Sequence, residues 1–104
     1  MINTIKNKKF VCPVCGYSEL DEEPWDKELN PSWGICPSCG THFGNYDFAT
    51  TKEEITARHD ILRQQWISQG MIWDKGSSEP PTNWNPREQL KNIPKQFLSP
   101  NENY

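Results

Sequence analysis

Between Thr51 and Gly70 the apolar residues recur at near-helical spacing. Ile55, Leu62 and Trp66, with Ala57, Ile61 and Ile67 beside them, predict an amphipathic helix over residues 51–69. Its start is marked by Thr51-Lys52-Glu53-Glu54, a capping box in which Thr51 accepts from the Glu54 amide and Glu54 reaches back, and Gly70 is a natural stop. Asn85 followed by Pro86 and Glu88 predicts a second, short helix to about Asn92, with a cap and then proline at the first helical position. Earlier in the chain the pattern changes. Residues 8–11 (Lys-Lys-Phe-Val) and 41–44 (Thr-His-Phe-Gly) read as short strands, and Phe10, Tyr17, Trp25, Trp33, Phe43, Tyr46 and Phe48 as a small aromatic core. Leu90, Ile93 and Phe97, with Trp73 and Trp84, are expected to pack back on the long helix, on which His59 reads as partly exposed. Residues 99–104 lack a pattern and read as a mobile tail.

Composition limits what these elements can build. Only 34% of the 104 residues are hydrophobic, nine are proline, and the mean hydropathy is -0.89. A large apolar core is therefore not available, although five tryptophans can each bury a large area at one position. Some other source of stability is needed. The first nine residues carry no apolar stretch of signal-peptide length, and no later segment approaches the roughly 18 apolar residues of a membrane span. The chain is therefore expected to be soluble and cytoplasmic, with no membrane partner.

The missing stabilisation is supplied by Cys12-Pro13-Val14-Cys15-Gly16-Tyr17 and Cys36-Pro37-Ser38-Cys39-Gly40-Thr41, two C-x2-C pairs separated by twenty residues. This spacing falls inside the range of zinc sites. Two intervening residues let both thiolates of a pair face a single ion, and a tetrahedral centre of four sulfurs needs two such turns face to face. Proline after the first cysteine fixes φ, and glycine after the second permits the positive φ that aims backbone N–H groups at sulfur. In a reducing compartment such pairs bind metal in preference to forming disulfides. Cys12, Cys15, Cys36 and Cys39 are thus the expected metal ligands, with zinc as the ion and iron as the alternative. Four thiolates leave no open coordination position, which is the arrangement of a structural site. His42, three residues after Cys39, is a candidate replacement ligand, but with four competent thiolates it reads better as a surface or supporting residue.

The run from Lys9 to Tyr17 resembles the first knuckle of a rubredoxin, and Cys36 to Gly40 the second, with a shorter loop between them and a further segment after them. The expected fold is therefore small α+β: a rubredoxin-like or zinc-ribbon β module over residues 1–50, a helical extension packing on it over 51–98, and the tail from 99. More of the chain, roughly residues 9–93, resembles a family of small bacterial cysteine-rich proteins related to those named for a C-P-C-C first knuckle. The likeness is carried by C-P-V-C-G-Y, by Ser32 to Gly40 with Phe43-Gly44 behind it, by Trp66-Ile67 and Gly70-Met71, and by Pro80-Pro81-Thr82-Asn83-Trp84-Asn85-Pro86 with Gln89-Leu90. Val14 stands where the C-P-C-C form has a cysteine. This resemblance implies a zinc-ribbon protein, of which some look like members of bacterial toxin and immunity gene neighbourhoods, and it implies no activity.

Charge bears on the partner. Residues 19–28 hold six acids and one lysine, and residues 1–50 hold four lysines against seven acids, a net charge of -3. Phosphate binding depends on Lys and Arg, so the acidic half argues against nucleic acid. No nucleophile–base pair or phosphate-binding loop is evident in the chain. The expected function is that of a non-enzymatic module that binds another protein, with an iron electron carrier and a nucleic-acid-binding ribbon as alternatives.

Overall fold

The computed structural model describes residues 8–76 and 78–104. The first seven residues, part of the stretch read as free of a signal peptide, lie outside the described residues, as does Ser77 in the polar loop. Helix α1 spans Lys52–Ser68, helix α2 spans Pro86–Leu90, and a 3-10 turn covers Lys95–Phe97. No helix among the described residues is long and apolar enough to cross a membrane.

The expected β module is not formed. Among the described residues there is no sheet, only three isolated antiparallel bridges, Phe10–Leu20, Trp25–Pro31 and Ile35–His42. A rubredoxin-like or zinc-ribbon α+β class is therefore the wrong description of this chain. The physical reason is local. Phe10 and Leu20 exchange both backbone hydrogen bonds around the first cysteine turn, but the chain bends directly after Leu20, towards the buried Pro24. Beyond the second cysteine turn, Asn45 and Tyr46 both donate to the His42 carbonyl, so the segment expected to continue as a strand curls back on itself. Prolines 24, 31 and 37 remove further ladder donors. Between the turns, Asp26 organises a tight loop by accepting from the backbone of Glu28 and Asn30 and from the Asn30 side chain.

Helix α1 begins as its sequence predicts, with the Thr51 side chain accepting from the Glu54 amide at 3.1 Å. It ends at Ser68 with Gly70 at φ 100°, where the Met71 amide closes on the Trp66 carbonyl. Its buried face differs from the expected one. Ile55, His59, Arg63 and Trp66 point inward, while Ile61, assigned to the apolar side, is 57% exposed. Two polar side chains thus occupy the inward stripe, and His59 is buried where a partly exposed residue was expected. Asn85 caps α2 by accepting from the amides of Arg87 and Glu88.

The core is built around sulfur. Cys12, Cys15 and Cys36 are buried together with Val14, Leu20, Phe43, Trp66, Leu90 and Ile93. Leu90 and Ile93 therefore close over the cysteine turns as well as the helix. Of the expected aromatic shield only Phe43 is fully buried; Phe10, Tyr17 and Trp25 are partly so, and Trp33, Tyr46 and Phe48 are 57–59% exposed. Trp73 takes a place in the shield from the C-terminal half, edge-on to both Tyr17 and Trp84 at centroid distances of 5.7 and 5.2 Å. In the stretch expected to be mobile, Glu102 accepts from Arg63, Gln64 and the Ser99 amide.

Candidate metal centre

Each C-P-x-C-G segment folds into the same turn. In the first, the Gly16 amide donates to the Cys12 carbonyl at 2.9 Å and the Cys12 amide to the Tyr17 carbonyl at 2.7 Å. In the second, the Gly40 amide donates to the Cys36 carbonyl at 2.8 Å and the Cys36 amide to the Thr41 carbonyl at 3.0 Å. Gly16 and Gly40 take φ of 88° and 78°, the left-handed conformation expected from their place in the motif. The turns are therefore two copies of one structure, made without a sheet.

Facing each other, they bring the four sulfurs together. The Cys12–Cys39 and Cys15–Cys36 Sγ distances are 3.8 and 3.7 Å, and all four Sγ atoms lie within 4.8 Å of one another. These cysteines are free, and the separations are far above the roughly 2.0 Å of a disulfide bond. A regular tetrahedron of sulfurs bound at about 2.3 Å to a central zinc has edges of about 3.8 Å, so this set could hold one such ion with little rearrangement. His42 is not part of the group; its ring packs edge-on to Trp33 and Tyr46 instead.

The sulfurs sit in an environment that penalises four uncoordinated thiolates. Burial pushes the Cys12 and Cys15 thiols well above their ordinary range, reinforced at Cys12 by hydrogen bonds with the other sulfurs. Burial also opposes a Cys39 thiolate, but hydrogen bonds from the other three sulfurs and from Thr41 outweigh it and hold Cys39 well below that range. Metal binding by such a site displaces the thiol protons.

Sequence reasoning missed the side chains that grip the first turn from outside. Arg63 of α1, with no exposed surface, donates through Nε to the Val14 carbonyl at 3.0 Å and through Nη2 to the Pro13 carbonyl. Gln89 of α2 donates to the Cys15 carbonyl at 3.1 Å and to Ser38 Oγ at 2.9 Å, while its own carbonyl accepts from Trp84 Nε1. Asn92 donates to the Gly16 carbonyl at 3.1 Å. On the second turn the Ser38 carbonyl accepts from the Asp74 amide. For Arg63 the sequence signal is a polar side chain at the spacing of the inward stripe of α1, which it shares with His59; no local pattern announces the contacts of Gln89 and Asn92.

A second buried polar group lies behind Phe43, a member of the sulfur core whose ring meets His59 edge-on. The Asp47 carboxylate, with no exposed surface, accepts from His59 Nε2 at 2.6 Å, Trp25 Nε1 at 2.8 Å and the Gly44 amide at 2.6 Å. Burial opposes its charge, yet these donors outweigh that and lower its pKa. His59 also lines a cavity of about 590 Å³ between Trp25, Ile55 and Phe97. Asp47 and His59, twelve residues apart in the chain, are thus adjacent in the fold.

No family model matches the chain, and no solved structure matches it. Among curated proteins it is similar to the uncharacterised protein YoaQ of Bacillus subtilis (strain 168), with 35% identity over 74 residues, covering 62% of this chain and 63% of that protein. The chain thus spans less than two thirds of the length of the curated relative it matches.

Proposed function

We propose that this chain is a non-enzymatic zinc-binding protein of the bacterial cytoplasm, in which a structural four-cysteine centre organises a surface for another protein. The observation that carries the reading is the cage itself: four sulfurs within 4.8 Å of one another, at separations suited to one tetrahedral ion. Four protein ligands fill a tetrahedral zinc and leave no position for water or substrate, so the ion serves the fold. The four-sulfur geometry suits either ion; zinc is favoured over iron because the two C-x2-C pairs stand at zinc-site spacing, with a loop between them shorter than that of a rubredoxin and a further segment after them.

The surface for a partner lies on the outer side of the second turn. Trp33, Ile35, Tyr46 and Phe48 are all 57–59% exposed. An open groove of about 400 Å³ joins Ile35 and Pro37 to the acidic Glu19, Asp21 and Glu22. Exposed apolar residues beside an acidic rim suit a basic protein face. A toxin whose nucleic-acid-binding face is covered by this surface is the setting we favour.

Element analysis after expression with both metals supplied should give one zinc per chain and a colourless protein. Stoichiometric iron and a red colour would overturn the choice of ion. Affinity capture from native lysate should recover a stoichiometric protein that a Trp33→Glu variant loses while keeping its zinc; capture unaffected by that charge would refute this surface.

A further inference from the structure

Four consecutive carbonyls of the first cysteine turn, those of Pro13, Val14, Cys15 and Gly16, each accept a hydrogen bond from a side chain of the C-terminal half. Arg63 takes the first two, Gln89 the third and Asn92 the fourth. A turn shaped by its own Gly16–Cys12 hydrogen bond is in this way also fastened in place from outside, with four consecutive carbonyls satisfied by side chains. The guanidinium is itself fully held: its Nη1 donates to Asp60 and Glu102, and its Nη2 also reaches the Phe97 carbonyl at 3.2 Å, so all five donors are used.

One of these peptides connects Arg63 to a sulfur. The Pro13–Val14 peptide accepts from Arg63 at its carbonyl, and the Val14 amide of the same peptide donates to Cys12 Sγ at 3.4 Å. A cation on the oxygen of a peptide polarises it and strengthens the N–H as a donor. Groups that hydrogen-bond or hold a metal's ligands from behind tune ligand basicity and metal affinity.

We propose that Arg63, Gln89 and Asn92 are positioning residues of the metal centre, with Arg63 acting on the Cys12 sulfur through the Pro13–Val14 peptide. The proposal rests on the metal reading above and adds a claim about this chain's own residues: the C-terminal half holds the first turn in place and sets the donor strength of one ligand. Arg63 holds the turn and the charge together, whereas Gln89 ties the first turn to the second through Ser38.

Cobalt(II) titration of the full chain tests it, because the thiolate-to-cobalt charge-transfer band reports donor strength directly. Wild-type protein should bind one cobalt per chain. Arg63→Met should bind the same stoichiometry with the band at longer wavelength, since Cys12 loses polarisation, and roughly 10- to 100-fold weaker affinity in chelator competition. Arg63→Lys should recover part of the band shift, because a lysine supplies the charge but cannot span both carbonyls. Arg87→Met, at an exposed position whose side chain makes none of the contacts with the turn, should match wild type. An Arg63→Met band and affinity equal to wild type would overturn the proposal alone, whereas wild-type protein that binds no cobalt or zinc would overturn the metal reading and the proposal with it. If Arg63→Met fails to fold with cobalt, Asn92→Ala decides, since this exposed residue makes a single contact with the turn. It should weaken cobalt binding roughly fivefold, the equivalent of one hydrogen bond, and a change below about twofold would overturn the proposal.

Discussion

Gly16→Ala separates close packing from backbone preference. At φ 88° a side chain is strained wherever it sits, and an alanine Cβ at Gly16 would lie 2.0 Å from the Gln89 carbonyl oxygen, 2.8 Å from its carbon and 3.2 Å from Leu90 Cα. All three atoms are backbone, so relief requires α2 to move away from the cysteine turn. Gly70 supplies the control: at φ 100° the nearest atom to an added Cβ is an Ile72 side-chain carbon at 3.7 Å. Gly70→Ala should therefore cost only the backbone strain, about 1–2 kcal/mol. Gly16→Ala adds overpacking, commonly about 1–3 kcal/mol, and breaks the Gln89 contacts that join the two turns. Urea denaturation of the metal-loaded protein should show the Gly16 variant destabilised by about 3–5 kcal/mol in total. Equal losses for the two variants, within about 0.5 kcal/mol, would refute the claim that α2 is seated directly on the first turn.

Two further expectations concern buried charge. Asp47→Ala leaves Trp25, His59 and the Gly44 amide without their shared acceptor, and should cost about 3–5 kcal/mol in the same denaturation assay; a loss below about 1 kcal/mol would show that water replaces the carboxylate freely. Glu102→Gln removes the charge opposite buried Arg63. Burial raises the Glu102 pKa, but the Ser99 amide, Arg63, Asp60 and Tyr104 outweigh it and lower the value from 4.5 to about 2. Because the folded value is depressed, the stabilisation is present above about pH 4.5 and is lost as pH falls towards 2. The stability gap between wild type and Glu102→Gln should accordingly be on the order of 2–3 kcal/mol at pH 7 and narrow across that window. A gap unchanged from pH 7 to pH 3 would contradict it.

The parts of this structure that were legible in the sequence are those governed by neighbours in the chain. The cysteine turns follow from proline and glycine at fixed offsets, and the starts of α1 and α2 follow from Thr51 and from Asn85-Pro86, whose side chains act within three residues of themselves. What was not legible depends on distant partners. Nothing in the sequence singles out Arg63, because its acceptors, Pro13 and Val14, lie about fifty residues away. His59 was read as partly exposed because nothing local announces Asp47. The short strands were read from the residues flanking each cysteine turn, yet a ladder needs a second and third rung, and the bend after Leu20 and the turn at His42 prevent them. Trp33 shows the limit of composition: an aromatic adjacent to a metal motif reads as shield, but at φ 65° it is directed outward over Gly44.

The central claim is that one ion held by Cys12, Cys15, Cys36 and Cys39 maintains the core, since so much of that core is sulfur and the residues packed on it. The direct measurement is near-ultraviolet circular dichroism of the purified chain before and after removal of its metal by a strong chelator, followed by readdition of zinc. The account predicts that the aromatic signal collapses as one equivalent of metal is released and returns as zinc is restored. Release of the metal with the aromatic signal unchanged would contradict it.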